Sequence, residues 1–177
     1  MATARKAARR PARSSRPHSR KADAIALLTR DHREVKQLFQ EYQQLVDHEA
    51  GDDEKAEIAQ QVCAVLTVHA QIEEELFYPA ARSAIREPDL VDEAMVEHAS
   101  AKDLIAQLEQ SAPGDPLYDA KVKVLGEYIK HHVKEEEQPG GVFAQAKRGD
   151  EDLDAMGERI KVRKEELMAQ MGGRKLS

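Results

Sequence analysis

The sequence predicts an all-α protein, an up-down-up-down four-helix bundle followed by one further C-terminal helix. Apolar residues recur at three- and four-residue spacing through four long segments, and no segment shows the two-residue alternation of a strand. Charged residues make up 34% of the 177-residue chain, a content typical of long, solvated helices. Aromatic residues make up only 4%, so we expect a core of Leu, Ile, Val, Ala and Met.

Glycines and prolines divide the chain after residue 21 into five predicted helical segments. The first four carry the apolar stripes, and short connections join them, as in a four-helix bundle. Pro79 lies inside the second segment, where we expect it to bend or end the helix. We expect one domain over residues 22–171. Its segments lie near 23–48, 52–86, 88–111, 116–147 and 150–171.

The N-terminal segment, residues 1–21, carries eight Lys or Arg and no acidic residue. Since the whole chain has a net charge of −6, residues 22–177 carry −14. The segment has no apolar periodicity, and its charges repel one another, so we expect a disordered basic tail. Its charge predicts weak contact with nucleic acid, which the acidic body would not make unaided. A solubilising arm and a transit peptide are the alternatives.

Cysteine content and hydropathy indicate the compartment. The single cysteine, Cys63, excludes an intramolecular disulfide and a zinc or iron–sulfur site built on cysteines. No apolar run approaches the about 18 residues that a membrane-spanning helix needs. We therefore expect a cytoplasmic protein with no membrane partner.

Polar residues interrupt the apolar stripe of every bundle helix. Each helix places one histidine on the stripe, and two helices add a glutamate four residues later, on the same helix face. Burying such groups is costly unless they are paired, and a lone histidine would be explained by hydrogen bonding within the core. Four histidines and two glutamates together favour a metal site. They are His32, His69, Glu73, His98, His132 and Glu136.

The types of these residues indicate which metal they hold. Four imidazoles and two carboxylates exceed what a closed tetrahedral zinc site uses, and mixed ligation with open positions suits iron. Two glutamates on different helices are suited to bridging two metal ions. A second His-x-x-x-Glu pair, His131 and Glu135, overlaps the first on the fourth helix, but the apolar stripe favours His132 and Glu136 as ligands.

Several stretches of the chain together resemble the hemerythrin-like, or HHE cation-binding, domains. The resemblance implies a four-helix bundle around a non-haem centre of two iron ions with an oxo or hydroxo bridge. By position, the four histidines named above match the family's His ligands, and Glu73 and Glu136 match its bridging carboxylates. The matching stretches are LLTRDHREVKQLF (27–39), HAQIEEELFYP (69–79), EH (97–98), HHVKEEE (131–137) and LDAMGERIKVRKEEL (153–167).

The chain departs from the oxygen-carrying hemerythrins one turn after His98, where they have a further histidine and this chain has Lys102. The resemblance therefore does not imply simple reversible oxygen carriage. It implies a protein that binds O₂ or a related ligand such as NO or peroxide for sensing, storage or scavenging, and we assign no catalytic residue. The alternative is a di-iron redox enzyme of oxidative or nitrosative stress or iron homeostasis, acting in peroxide or NO reduction or in iron supply for cluster repair. A bundle with purely structural histidines is a third interpretation.

Overall fold

Residues 22–174 are described by a computed structural model, and every regular element in this range is helical, as the sequence predicts. The predicted basic tail, residues 1–21, lies outside the described residues. None of the helices in the described range is long and apolar enough to cross a membrane. In chain order the elements are α1 (Ala24–Asp47), α2 (Asp52–Ile72), a π-helical turn π1 (Glu73–Phe77), α3 (Tyr78–Ala84), α4 (Asp89–Glu109), α5 (Tyr118–Glu137), α6 (Val142–Ala146) and α7 (Leu153–Arg174).

Helices α1, α2, α4 and α5 form the four-helix bundle, in which α1 packs against α2 and α5, and α4 packs against α5 and α2. Helix α7 lies across α1, α2 and π1, and it buries Met156, Ile160 and Leu167 against them. The apolar interior consists of two separate clusters of buried side chains. On α1, Leu28 belongs to one cluster and Val35 to the other. The bundle buries its polar side chains between these two apolar clusters.

The second predicted segment, 52–86, is not one continuous helix. It consists of α2, π1 and α3, and the Tyr78 amide donates to the Glu73 carbonyl, five residues earlier. Pro79 explains the change, because it has no amide hydrogen and its ring clashes with the carbonyl four residues before it. The π-helical turn contains one residue more than an α-helical turn. The residues that follow it are therefore rotated about the helix axis relative to α2. Tyr78 is thereby brought to the side of the helix that carries Glu73.

The fourth predicted segment, 116–147, is also divided. Helix α5 ends at Glu137, and α6 begins at Val142 after a tight turn. Gly140 has a φ of +100°, which side chains other than glycine rarely adopt. At Gly141 a Cβ atom would overlap the carbonyl oxygen of Glu135 and lie 2.6 Å from that of Glu136. Both glycines are therefore needed for the chain to fold α6 back against the end of α5.

We expect Gly141→Ala to destabilise the protein by about 1–3 kcal/mol, because the added methyl group overlaps backbone that cannot easily move. A loss of that size lowers the melting temperature by about 2–4 °C per kcal/mol in a chain of this length. Thermal unfolding followed by circular dichroism measures the change. The control is Gly172→Ala, because a Cβ atom there would meet nothing within 4 Å. Equal melting temperatures for the two variants would contradict the role assigned to Gly141.

Candidate metal centre

Six buried polar side chains form a closed ring between the two apolar clusters, which we call the inner ring. Each of the six is at most 5% exposed. Around the ring, imidazole Nε2 atoms and carboxylate oxygens approach one another at 3.1–3.4 Å. The structure thus brings together every site residue that the sequence predicts. In ring order these residues are His32, His69, Glu73, His98, His132 and Glu136.

Within the inner ring the imidazoles contact each other in pairs through Nε2. The two Nε2 atoms of His32 and His69 lie 3.1 Å apart, and those of His98 and His132 lie 3.3 Å apart. Two neutral imidazoles that both carry their proton on Nδ1 would direct two lone pairs at each other. A cation bound between them would accept both lone pairs.

Each imidazole has a carboxylate near its outer nitrogen, Nδ1, and the carboxylate comes from a different helical element in every case. A carboxylate at Nδ1 holds the proton there, which orients the ring and leaves the Nε2 lone pair for a metal ion. Three of the four contacts are hydrogen bonds of 2.8–3.0 Å. The pairs are His32 with Glu137 at 2.8 Å, His98 with Glu74 at 3.0 Å, His132 with Glu97 at 2.8 Å, and His69 with Asp31 at 3.7 Å.

The fourth pair, His69 and Asp31, is held by a contact from the C-terminal helix. Lys164 on α7 donates to the Asp31 carboxylate, which is itself buried. Burial alone would raise the pKa of Asp31, but interactions with His69 and Lys164 outweigh it and lower the pKa. Burial would likewise lower the pKa of His69, but the carboxylates of Glu73 and Asp31 raise it to about 10, so a metal ion that binds Nε2 would displace a proton from this imidazole. The C-terminal helix therefore contributes directly to the electrostatics of the inner ring.

Buried acceptors that lack donors are a further sign that the inner ring suits a metal ion. Glu73 Oε1 and Glu136 Oε2 are fully buried and have no hydrogen-bond partner, although Glu136 Oε2 lies within ion-pair distance of imidazoles. Burial would raise the pKa of Glu73, but the imidazoles of His69 and His98 hold it well below its ordinary value. Leaving such oxygens unsatisfied is costly, and a bound cation would satisfy them.

Tyr78 also reaches the inner ring, although the sequence pattern did not identify it. Its hydroxyl donates to Glu136 Oε1 at 2.9 Å and lies 3.3 Å from Glu73 Oε2. Burial raises the pKa of Tyr78 well above its ordinary value, and the two carboxylates raise it further, so the hydroxyl keeps its proton. In an α-helix a residue five positions after Glu73 would face away from it. Only the π-helical turn makes this contact possible.

Aromatic side chains close one side of the inner ring. Phe143 on α6 stacks on the His32 ring at a centroid distance of 5.5 Å and an interplanar angle of 3°. Phe77 packs edge-on against Phe143, with centroids 5.4 Å apart. These contacts depend on the turn at Gly140 and Gly141, which returns α6 to the end of α5. They shield the imidazole from water on that side.

The overlapping pair on α5, His131 and Glu135, lies outside the inner ring. The His131 side chain is 63% exposed, whereas that of His132 is 3% exposed. Lys102 is likewise no member of the ring, because its ammonium group binds the Glu74 carboxylate at 2.6 Å. Glu74 in turn accepts from His98, so Lys102 contacts the ring through a carboxylate.

A small cavity of about 20 Å³ adjoins the inner ring. It is bounded by the imidazoles and by apolar side chains that include Val35, Leu66 and Ile105. That volume is enough for roughly one water-sized molecule. A larger groove of about 680 Å³ runs between α1 and α5 and reaches His32 and Glu137 from the surface.

Known proteins resemble this chain in sequence and in fold. The family model of the Hemerythrin HHE cation binding domain matches residues 23–139. A protein from Nostoc sp. described as a DNA nickase is 30% identical over 144 residues, which are 81% of this chain and 39% of that protein. The chain thus spans about two fifths of that relative's length. A hemerythrin HHE cation binding domain-containing protein from Mycobacterium kansasii shares the fold, with a TM-score of 0.67 at 24% identity over 84% of this chain and 88% of the other.

We expect Glu137→Ala to weaken the binding of a metal ion, with ferrous iron as the probe, about 10- to 100-fold, because it removes the carboxylate that orients the His32 imidazole. A competition titration of the full chain with a ferrous chelator measures the affinity. The control is Glu135→Ala on the same helix, since the Glu137 and Glu135 side chains are 37% and 36% exposed. The control should bind iron as the unaltered protein does. An equal loss of affinity in both variants would show that only the negative charge of the helix matters.

Proposed function

The chain belongs to the hemerythrin HHE cation-binding domain family, and from that membership we propose that it is a non-haem di-iron protein that binds a small ligand. The family membership makes it a metal-binding protein, and its buried histidines and glutamates could hold the metal. We infer three further properties of this chain. The inner ring holds two iron ions, the ligand is O₂ or a related molecule such as NO or peroxide, and the role is sensing, storage or scavenging.

The arrangement of the two glutamates supports two ions rather than one. Glu73 Oε2 approaches His69 at 3.1 Å and His98 at 3.4 Å, and these histidines lie on different helices. Glu136 Oε2 likewise approaches the imidazoles of two other helices, both at 3.4 Å. Each carboxylate therefore stands between two imidazoles and has two oxygens to share. A single tetrahedral ion would use four ligands and leave the remaining buried groups uncompensated.

The donor set supports iron and a small ligand. Imidazoles and carboxylates without thiolate, with coordination positions left open, suit non-haem iron. When bound, ferrous iron would supply the electrons and the open positions that O₂ or NO requires. Tyr78 holds a proton next to both carboxylates, and Phe143 keeps water from the His32 ring. The cavity of about 20 Å³ beside the inner ring has room for roughly one water-sized molecule.

One observation favours the alternative, a di-iron redox enzyme acting on peroxide or NO. The inner ring has four imidazoles, and Lys102, at the position of the fifth histidine of oxygen carriers, is engaged with Glu74. Fewer nitrogen ligands leave more coordination positions open at the metal. Open positions favour a redox reaction of the bound ligand over its reversible binding. The same observation applies to iron supply for cluster repair.

We further propose a cytoplasmic location, which the single cysteine supports. Cys63 is buried among apolar side chains of the bundle. Burial raises the pKa of its thiol to about 12, so the thiol stays protonated and unreactive. Such a residue fits a reducing compartment.

The visible spectrum of the iron-loaded protein tests the proposed function. We expect absorption bands that appear when O₂ or NO is added to the reduced protein and disappear when the gas is removed. Irreversible oxidation on the first exposure would instead support the redox enzyme. Absence of any change on adding O₂, NO or peroxide would contradict both.

We expect two iron atoms per chain after iron-replete expression, and substitutions on α5 test which residues hold them. Glu136→Ala and His132→Ala should leave the protein with less iron than two atoms per chain, because both side chains lie in the inner ring. The matched controls are Glu135→Ala and His131→Ala, which should retain the full content because His131 is 63% exposed. Metal analysis measures the outcome. Loss of iron in the controls and its retention in the other pair would contradict the assignment.

A contact of the basic tail with nucleic acid remains a separate proposal. The eight positive charges of residues 1–21 support it, and the relative from Nostoc is described as a DNA nickase. Because that relative is much longer than this chain, we propose only binding here and no strand cleavage. Contacts of this kind neutralise phosphates and weaken steeply with salt.

We expect the full chain to bind supercoiled plasmid DNA weakly at low salt and to lose binding as salt rises. A full-length variant with the eight Lys and Arg of the tail changed to Gln should not bind, because the rest of the chain carries −14. Gel retardation across a salt series measures binding, and the same gels reveal nicking. Equal binding by both proteins would show that the tail is not responsible.

A further inference from the structure

The second His-x-x-x-Glu motif of α5 is not used by the inner ring, yet the structure gives it a third partner. His131 and Glu135 lie on the outer side of α5, and Glu97 of α4 faces them. One ligand atom from each of the three lies within 4.8 Å of the others. We propose that this outer cluster, Glu97, His131 and Glu135, binds a zinc ion at the protein surface.

The distances within the outer cluster suit a single ion. His131 Nε2 lies 3.2 Å from Glu135 Oε1 and 3.5 Å from Glu97 Oε1. The first pair is four residues apart on one helix, so both groups project from one face. The second contact crosses to the neighbouring helix, which fixes the position of the third donor. One imidazole and two carboxylates provide three ligands, the number found in zinc sites that keep water at a further position.

The exposure of the outer cluster distinguishes it from the inner ring. The exposed fractions of the His131, Glu135 and Glu97 side chains are 63%, 36% and 24%. An ion can therefore enter directly from solvent, and water can complete its coordination. The imidazole favours zinc over calcium or magnesium, which prefer oxygen ligands alone. The negative charge of the bundle attracts a cation of any kind.

Glu97 belongs to both sites and uses a different oxygen for each. Its Oε2 accepts from His132 Nδ1 at 2.8 Å, whereas its Oε1 faces His131. An ion in the outer cluster can thus bind Oε1 while Oε2 keeps its hydrogen bond to the inner ring. The two sites can be occupied together, and the outer ion would share a carboxylate with the imidazole of His132.

Zinc titration of the iron-loaded full chain, followed by equilibrium dialysis and metal analysis, tests the outer site. We expect the unaltered protein to bind one more equivalent of zinc than His131→Ala, or to bind it at least about tenfold more tightly. The matched control is His48→Ala, which removes another exposed histidine, whose imidazole forms a hydrogen bond with the Gln44 carbonyl of its own helix. This control should bind zinc as the unaltered protein does.

The outcomes separate this inference from the proposed di-iron centre, because iron and zinc are measured in the same samples. If the inner ring fails to hold iron, zinc can fill it in all three proteins, and the difference between the unaltered protein and His131→Ala remains. If His131→Ala retains the same zinc affinity and amount, the outer cluster is an ion-pair network only. Loss of the same zinc equivalent in His48→Ala would overturn the assignment as well.

Discussion

The structure depends on the pairing of every buried imidazole with a carboxylate from another helix. Each carboxylate lies next in sequence to an inner-ring residue of its own helix. It contacts Nδ1 of the histidine on the following bundle helix. Adjacent residues diverge by about 100° on a helix, so one turns inward and the other reaches the neighbouring helix. The four pairs form a closed cycle around the bundle. They therefore fix the position of each helix along the bundle axis as well as its rotation about its own axis. The pairs run from Asp31 to His69, Glu74 to His98, Glu97 to His132, and Glu137 to His32.

The helical period explains why the inner ring could be predicted from sequence. A histidine or glutamate that falls on an apolar stripe is expected to be buried, and His132 and Glu136 are buried on α5, whereas the adjacent His131 is exposed. The pairing partners at Nδ1 could not be predicted in the same way. The sequence shows that each of these carboxylates lies beside an inner-ring residue. It does not show which histidine the carboxylate contacts, because that depends on which helices are neighbours in the bundle.

Departures from regular helix account for what the sequence pattern missed. Tyr78 contacts both carboxylates only because π1 adds a residue between it and Glu73. Phe143 stacks on His32 only because the glycine turn separates α6 from α5. Lys164 supports the inner ring from α7, 133 residues after Asp31 in the chain. In each case a local break or a long-range contact places a side chain where a period of 3.6 residues would not.

We propose that two metal ions lie inside the inner ring. X-ray diffraction from crystals of the iron-loaded full chain, collected on both sides of the iron absorption edge, tests this claim directly. We expect two anomalous peaks of iron between the imidazoles and the carboxylates of Glu73 and Glu136, where buried oxygens lack donors. A single peak inside the ring, or iron found only at the surface beside His131, would contradict the account.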